Sequence, residues 1–209
     1  MQTLPELKVI VYSDYICPFC YIGNHRLQKL RHDYELKINW RFLEIHPETS
    51  ELGEPVDALD YPSETWQQML DDLKLLATEE DIPLGEISFI TNSRDALLLA
   101  EAAKQAGKDS FYTLHDRLFS AYFVDGKNIG DRQLLKQIAL ESGINASIID
   151  DAWNNTDHEQ QLTHNYELAR QNNIQSVPSF IFADQVLTGV VSEAAFRKAA
   201  ETASTKTAA

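Results

Sequence analysis

The β-type patterning of this chain is confined to its two ends, and that constrains the fold more than any other feature. Leu7–Tyr12 reads LKVIVY, a short β-branched run suited to a buried strand. Ile38, Trp40 and Phe42 alternate with Lys37, Asn39 and Arg41, as in a strand with one apolar face. Far along the chain, Ser179–Ala183 reads SFIFA and Val186–Thr188 follows, which predicts a hairpin turning at Asp184-Gln185. The two ends can share one sheet only if the long stretch between them is an insertion.

That stretch is helical in its spacing. Trp66, Met69, Leu70 and Leu73 mark one helix. Ser93 is placed to cap another, through Ala96, Leu99 and Ala103 to Gly107. Phe111, Leu114, Leu118 and Tyr122 mark a third, and Asp131 is placed to cap a fourth, ending at Gly143. Ile148, Ile149 and Ala152 fit a fifth; Leu162, Tyr166 and Ala169 fit a sixth. Trp40, Trp66 and Trp153 occupy apolar positions of these patterns and are expected in the core. Residues 46–62 carry Pro47, Gly53, Pro55 and Pro62 and read as irregular. Ser192 is placed to cap a last helix through Phe196 and Ala199, and the tail from Thr202 is expected to fray. The organisation is βαβ, a helical block, then ββα. This is an α/β chain whose expected architecture is a thioredoxin-like fold with an inserted all-helical domain. The expected division is 1–62 with 173–209 for the thioredoxin-like domain and 63–172 for the insertion.

The first helix carries the chemistry. Cys17-Pro18-Phe19-Cys20 follows the first strand directly, and Pro is favoured at the first position of a helix, where its missing N–H costs nothing. Cys20, Gly23, Leu27, Leu30 and Tyr34 then recur on one face. These two cysteines are the only ones in 209 residues. A disulfide between them closes too small a loop to restrain the unfolded chain much, so the pair reads as chemistry and not as a staple. Residues three apart on a helix share a face, at a separation a disulfide accepts. Cys17 falls at the helix N-terminus, where unpaired N–H groups and the helix dipole favour a thiolate, and Cys20 lies one turn in and deeper. Cys17 is therefore the expected nucleophile and Cys20 the resolving thiol. Asp14, three residues before Cys17, is a candidate proton relay for Cys20 if it is partly buried. Pro18, Phe19 and Tyr21 are candidates to line a substrate groove beside the cysteines.

The net charge of −14 disfavours nucleic acid and anionic membrane as partners. No stretch approaches the ~20 apolar residues of a membrane helix, and the start at Met1 shows no secretory pattern, so a cytoplasmic location is expected.

The segment SDYICPFCYIG at 13–23 resembles the DsbA-like thiol–disulfide oxidoreductases, in particular their cytosolic FrnE-like branch. Thr91-Asn92-Ser93, LFSAYFVDGKNIGD at 118–131 and IQSVPSFIF at 174–182 extend the likeness from the first strand to the last hairpin. The resemblance implies dithiol catalysis, a cis bond before Pro178, and a groove for peptide or glutathione disulfides in which the Val177 backbone pairs with an extended substrate. It implies no tightly bound cofactor, with glutathione as a possible redox partner and protein or peptide thiols and disulfides as partners. Phe19 stands where the branch often has Trp, Ser176-Val177 where Gly-Val is frequent, and Leu97 where His is common. These departures bear on redox potential and substrate range.

Three rivals follow from the same residues, one of them a binding or chaperone module in which the disulfide is structural. A zinc site from Cys17, Cys20, His25 and His32 would need ligands spread over four helical turns to converge on one ion, so no metal is expected. The related 2-hydroxychromene-2-carboxylate isomerases and kappa-class glutathione transferases commonly have Ser at the place of Cys17, so keeping both cysteines favours redox work. A glutathione-dependent isomerase or transferase is the alternative.

Overall fold

The computed structural model describes residues 4–56 and 63–207. In chain order the elements are β1 (Glu6–Ser13), α1 (Pro18–Lys29), β2 (Glu35–Phe42), a two-residue β3 (Glu54–Pro55), α2 (Ser63–Glu79), a two-residue β4 (Phe89–Ile90) and α3 (Arg94–Ala103). They continue with α4 (Lys108–Phe123), α5 (Arg132–Glu141), α6 (Ala146–Asn154), α7 (Thr156–Gln171), β5 (Ser179–Phe182), β6 (Gln185–Thr188) and α8 (Glu193–Thr207). The expected irregular stretch is confirmed up to its break at β3; its last residues, 57–62, lie outside the described ones, as does the expected domain boundary at 62.

The two ends of the chain do share one sheet, in the order β2-β1-β5-β6. β1 runs parallel to β2, with Val9 opposite Ile38 and Val11 opposite Trp40, and antiparallel to β5, with Val11 opposite Phe180. A parallel neighbour needs a crossover, and α1 supplies it. This is a thioredoxin-like fold with a helical insertion between β2 and β5. Leu7, Val9 and Val11 alternate with more exposed residues along β1 and join Phe180, Phe182 and Phe196 in the main core. The other face buries Tyr12 and Ile181 with Leu43, Ala169 and Ile174, so the end of α7 covers it. The sheet is thus packed on both sides.

α1 crosses β5 so closely that only glycine fits at the crossing. A Cβ on Gly23 would stand 2.7 Å from Phe180 Cζ and 3.6 Å from Pro178 Cγ. This contact seats the cysteine-bearing helix directly on the strand that follows Pro178.

Several expectations need correcting. The hairpin turns at Ala183–Asp184, one residue earlier than expected: Phe182 pairs with Gln185, and Ala183 takes a positive φ of 53°. The antiparallel pair β3–β4 left no pattern because two-residue strands show no alternation. Ser93 sits at the N-cap of α3 but does not cap it with its side chain, which is committed elsewhere. Asp131 does cap α5, accepting from Gln133 N. The tail does not fray at 202, because Ala203 is buried against the core and holds α8 to Thr207. Trp40 is buried, but Trp66 and Trp153 are only half-buried. Among the described residues no helix is long and apolar enough to cross a membrane.

Candidate active site

The sheet brings three segments to one place: the start of α1, the loop after β2, and the loop before β5. Cys17 is the N-cap residue of α1, in extended conformation, with Pro18 as the first helical residue. Its Sγ accepts a hydrogen bond from the Cys20 backbone N–H at 3.3 Å. A sulfur in that position receives one of the orphan donors of the helix end. Both cysteines are free thiols. Cys20 is nearly inaccessible, at 2 % exposure, and burial pushes its thiol well above the usual range, with the neighbouring Cys17 adding to the rise. The Asp14 backbone N–H and the Ser13 hydroxyl oppose that rise. The two sulfurs are therefore unlike: one on a helix end at the wall of a cleft, the other beneath it and held protonated.

The Val177–Pro178 peptide is cis. The Cys17 thiol faces the Val177 carbonyl oxygen at 3.8 Å. Pro178 is buried, its carbonyl accepting from Gly189 N at 2.9 Å, and Ser179 Oγ donates to Ser176 O at 2.8 Å. The loop is thus tied into the hairpin that follows it.

Cys17 opens on a cleft of about 540 Å³. Pro18, Phe19 and Val177 line it, as expected of groove residues. Tyr21 does not. It is buried, its hydroxyl donates to Pro83 O at 2.7 Å, and its ring stacks on Phe123. The groove role expected for Tyr21 is therefore replaced by a packing role, because one residue past Cys20 the helix has already turned that side chain toward α4. Trp66, half-buried, lines the cleft with Met69 from α2. Leu43, Ile45 and Tyr166 complete much of the apolar wall. Their spacing had marked Trp66 and Met69 as one helical face, but nothing in that spacing says what the face meets.

Asp14 is fully buried, and its carboxyl is held by three donors. Oδ1 accepts from Ile16 N at 3.2 Å; Oδ2 accepts from Ile45 N at 2.9 Å and from Ser93 Oγ at 2.9 Å. The direct link of Asp14 to the Cys20 sulfur is its backbone N–H. Burial pushes the Asp14 carboxyl up to about 6, against the pull of its three donors, and Glu44 adds to the rise. Glu44 itself is buried and paired with Arg94 Nη1 at 2.9 Å, and it accepts from Asn92 Nδ2 at 3.0 Å. Asp14 thus clasps the cysteine loop, the loop after β2 and the start of α3.

A thioredoxin-like sheet with paired cysteines at the head of its first helix defines the class of protein. Residues 8–201 match the model of the DSBA-like thioredoxin domain, and the chain belongs to that family. The members of this family are generally thiol–disulfide oxidoreductases without a tightly bound cofactor. Over 200 residues the chain is 30% identical to the uncharacterized protein YwbO of Bacillus subtilis (strain 168), covering 92% of this chain and 95% of that protein. Among solved structures it is similar to one described as a probable DsbA oxidoreductase from Streptomyces coelicolor, at TM-score 0.82 and 21% identity over 94% of this chain and 89% of that one. A 2-hydroxychromene-2-carboxylate isomerase superposes with a TM-score of 0.74 and 19% identity over 97% and 98% of the two chains. The cytosolic disulfide reductase DsbM from Pseudomonas aeruginosa, determined with GSH, gives 0.67 and 16% over 97% and 98%. At these identities the structures speak for the fold alone.

Proposed function

We propose that this protein is a cytoplasmic dithiol–disulfide oxidoreductase of the FrnE-like branch, acting on peptide or protein thiols and disulfides and recycled by glutathione or a thioredoxin system. Cys17 attacks the substrate disulfide and Cys20 resolves the mixed disulfide. The observation that carries this reading is the placement of the pair: Cys17 Sγ accepts an N–H at the helix end and lines the cleft, while Cys20 is no part of the cleft wall and lies beneath it. The attacking sulfur needs thiolate character and access; the resolving sulfur needs only to reach its neighbour. The Val177–Pro178 loop borders the cleft and offers the Val177 backbone to an extended substrate. Pro18 and Phe19 form the rim that the substrate crosses.

Equilibration of the protein with glutathione buffers, read by intact mass after alkylation, tests this. A reversible two-electron transition is expected between about −120 and −270 mV. No transition in that range demotes the pair to structure. The glutathione-dependent isomerase or transferase reading draws on the cleft volume of about 540 Å³, which suits a small molecule, and turnover surviving Cys17→Ser would establish it instead.

A further inference from the structure

The later half of α2 is anchored in the core. Leu73 and Ala77 are buried in the main core. Just past the helix, Glu80 Oε1 accepts from Arg26 Nε at 2.6 Å, Glu80 Oε2 meets Lys29 Nζ at 3.1 Å, and Pro83 O accepts from Tyr21. Trp66 and Met69 continue the same stripe toward the helix start, since residues three and four apart share a face. There the stripe leaves the core. Both side chains are half-buried and line the cleft into which Cys17 opens. The helix thus presents one continuous apolar face, of which the later half fills the core and the earlier half walls the site.

Access to the sulfur from this cleft is narrow. Cys17 is only 5 % exposed. Attack on a disulfide lines up the incoming sulfur, the attacked sulfur and the leaving sulfur, so the substrate's S–S bond must enter the cleft end-on. A disulfide inside a folded protein brings two backbone segments with it, their Cα atoms about 4.4–6.8 Å apart. A cleft of about 540 Å³ is of the size that encloses a small molecule.

We propose that Trp66 and Met69 are specificity-determining residues that restrict Cys17 to low-molecular-weight disulfides and shut out disulfides held in folded proteins. This rests on the dithiol reading above and narrows its substrate class. In the reaction the Cys17 thiolate attacks one sulfur of RSSR. A Cys17–SR bond forms and RS⁻ leaves, taking a proton from solvent. Cys20, on losing its proton, attacks the Cys17 sulfur and releases the second RS⁻. Two electrons pass from the protein dithiol to the disulfide, leaving Cys17–Cys20 oxidised and two RSH.

The test is single-turnover oxidation of the fully reduced protein, with glutathione disulfide and insulin as probes. The quantity read is the ratio of the two rates. Trp66→Ala and, separately, Met69→Ala are expected to shift this ratio toward insulin by on the order of tenfold. Far-UV circular dichroism and a thermal melt establish that each variant is folded; if Trp66→Ala is not, Trp66→Leu with Met69→Ala carries the comparison. A loss of stability without a change in what fits the cleft would leave the ratio where it was. An unchanged ratio, with glutathione disulfide still oxidising the pair, overturns the size restriction and leaves the dithiol reading standing. No reaction of the wild-type protein with either probe overturns the dithiol reading itself.

Discussion

The buried Asp14 carboxyl makes the stability of this fold depend on pH in a direction opposite to the usual one for an acid. Its value in the folded protein is about 6, against 3.8 for an ordinary aspartate, because burial outweighs its three donors. Below pH 3.8 both states hold the proton. Between 3.8 and 6 the folded state holds it and the unfolded state has lost it, so folding is favoured by protonation and stability falls as pH rises. The slope in that window is about 1.4 kcal/mol per pH unit, and a gap of about 2.2 units gives about 3 kcal/mol in all. His115 works the other way. It is fully buried among Tyr15, Trp40 and Phe111, and burial, with Lys104 nearby, lowers it from 6.5 to about 3. Its contribution is present above pH 6.5 and is lost as pH falls. The two partly cancel in the wild-type protein, so the comparison must be with Asp14→Asn, which removes one titration and leaves the other. Urea unfolding at pH 4, 5, 6 and 7, with both thiols kept reduced, gives the two curves. The wild type is expected to lose about 2.4 kcal/mol of this relative to Asp14→Asn between pH 4 and pH 7. Parallel curves would refute the reasoning. A relative gain with rising pH would show that the Ile16, Ile45 and Ser93 donors, not burial, control the carboxyl.

Two further outcomes follow from the site's packing and chemistry. Gly23→Ala places a methyl 2.7 Å from Phe180 Cζ, and Phe180 cannot swing away because Phe196 packs edge-on against it at 4.7 Å. Overpacking of this kind costs about 1–3 kcal/mol, which in a chain of this size lowers Tm by about 2–12 °C; a thermal melt unchanged within a degree would mean that the ring yields freely. Cys20→Ser is expected to accumulate a mixed disulfide on Cys17 during turnover, visible as a mass adduct lost on reduction. Rapid release of the adduct in this variant would show that an external thiol, and not Cys20, resolves the intermediate.

The parts of this protein that were legible in its sequence are those governed by local chemistry. β-branched and alternating runs at the two ends named the strands, and Pro18 named the start of α1. Asp131 and Ser192 named helix ends, because a capping side chain bonds within its own turn. The Cys17-Pro18-Phe19-Cys20 spacing placed two thiols on one helical face by geometry alone. Other features depended on which distant segment arrives alongside. Asp14 reads as a lone loop acid until Ile45 and Ser93 come to meet it and bond its carboxyl. Tyr21 neighbours the cysteines along the chain but is claimed by Pro83 and Phe123. Trp66 reads as core because periodicity reports that a face is apolar and is silent about what covers it. Only the tertiary packing decided that the stripe through Leu73 and Ala77 ends in the core while Trp66 and Met69 line the cleft that Cys17 also lines.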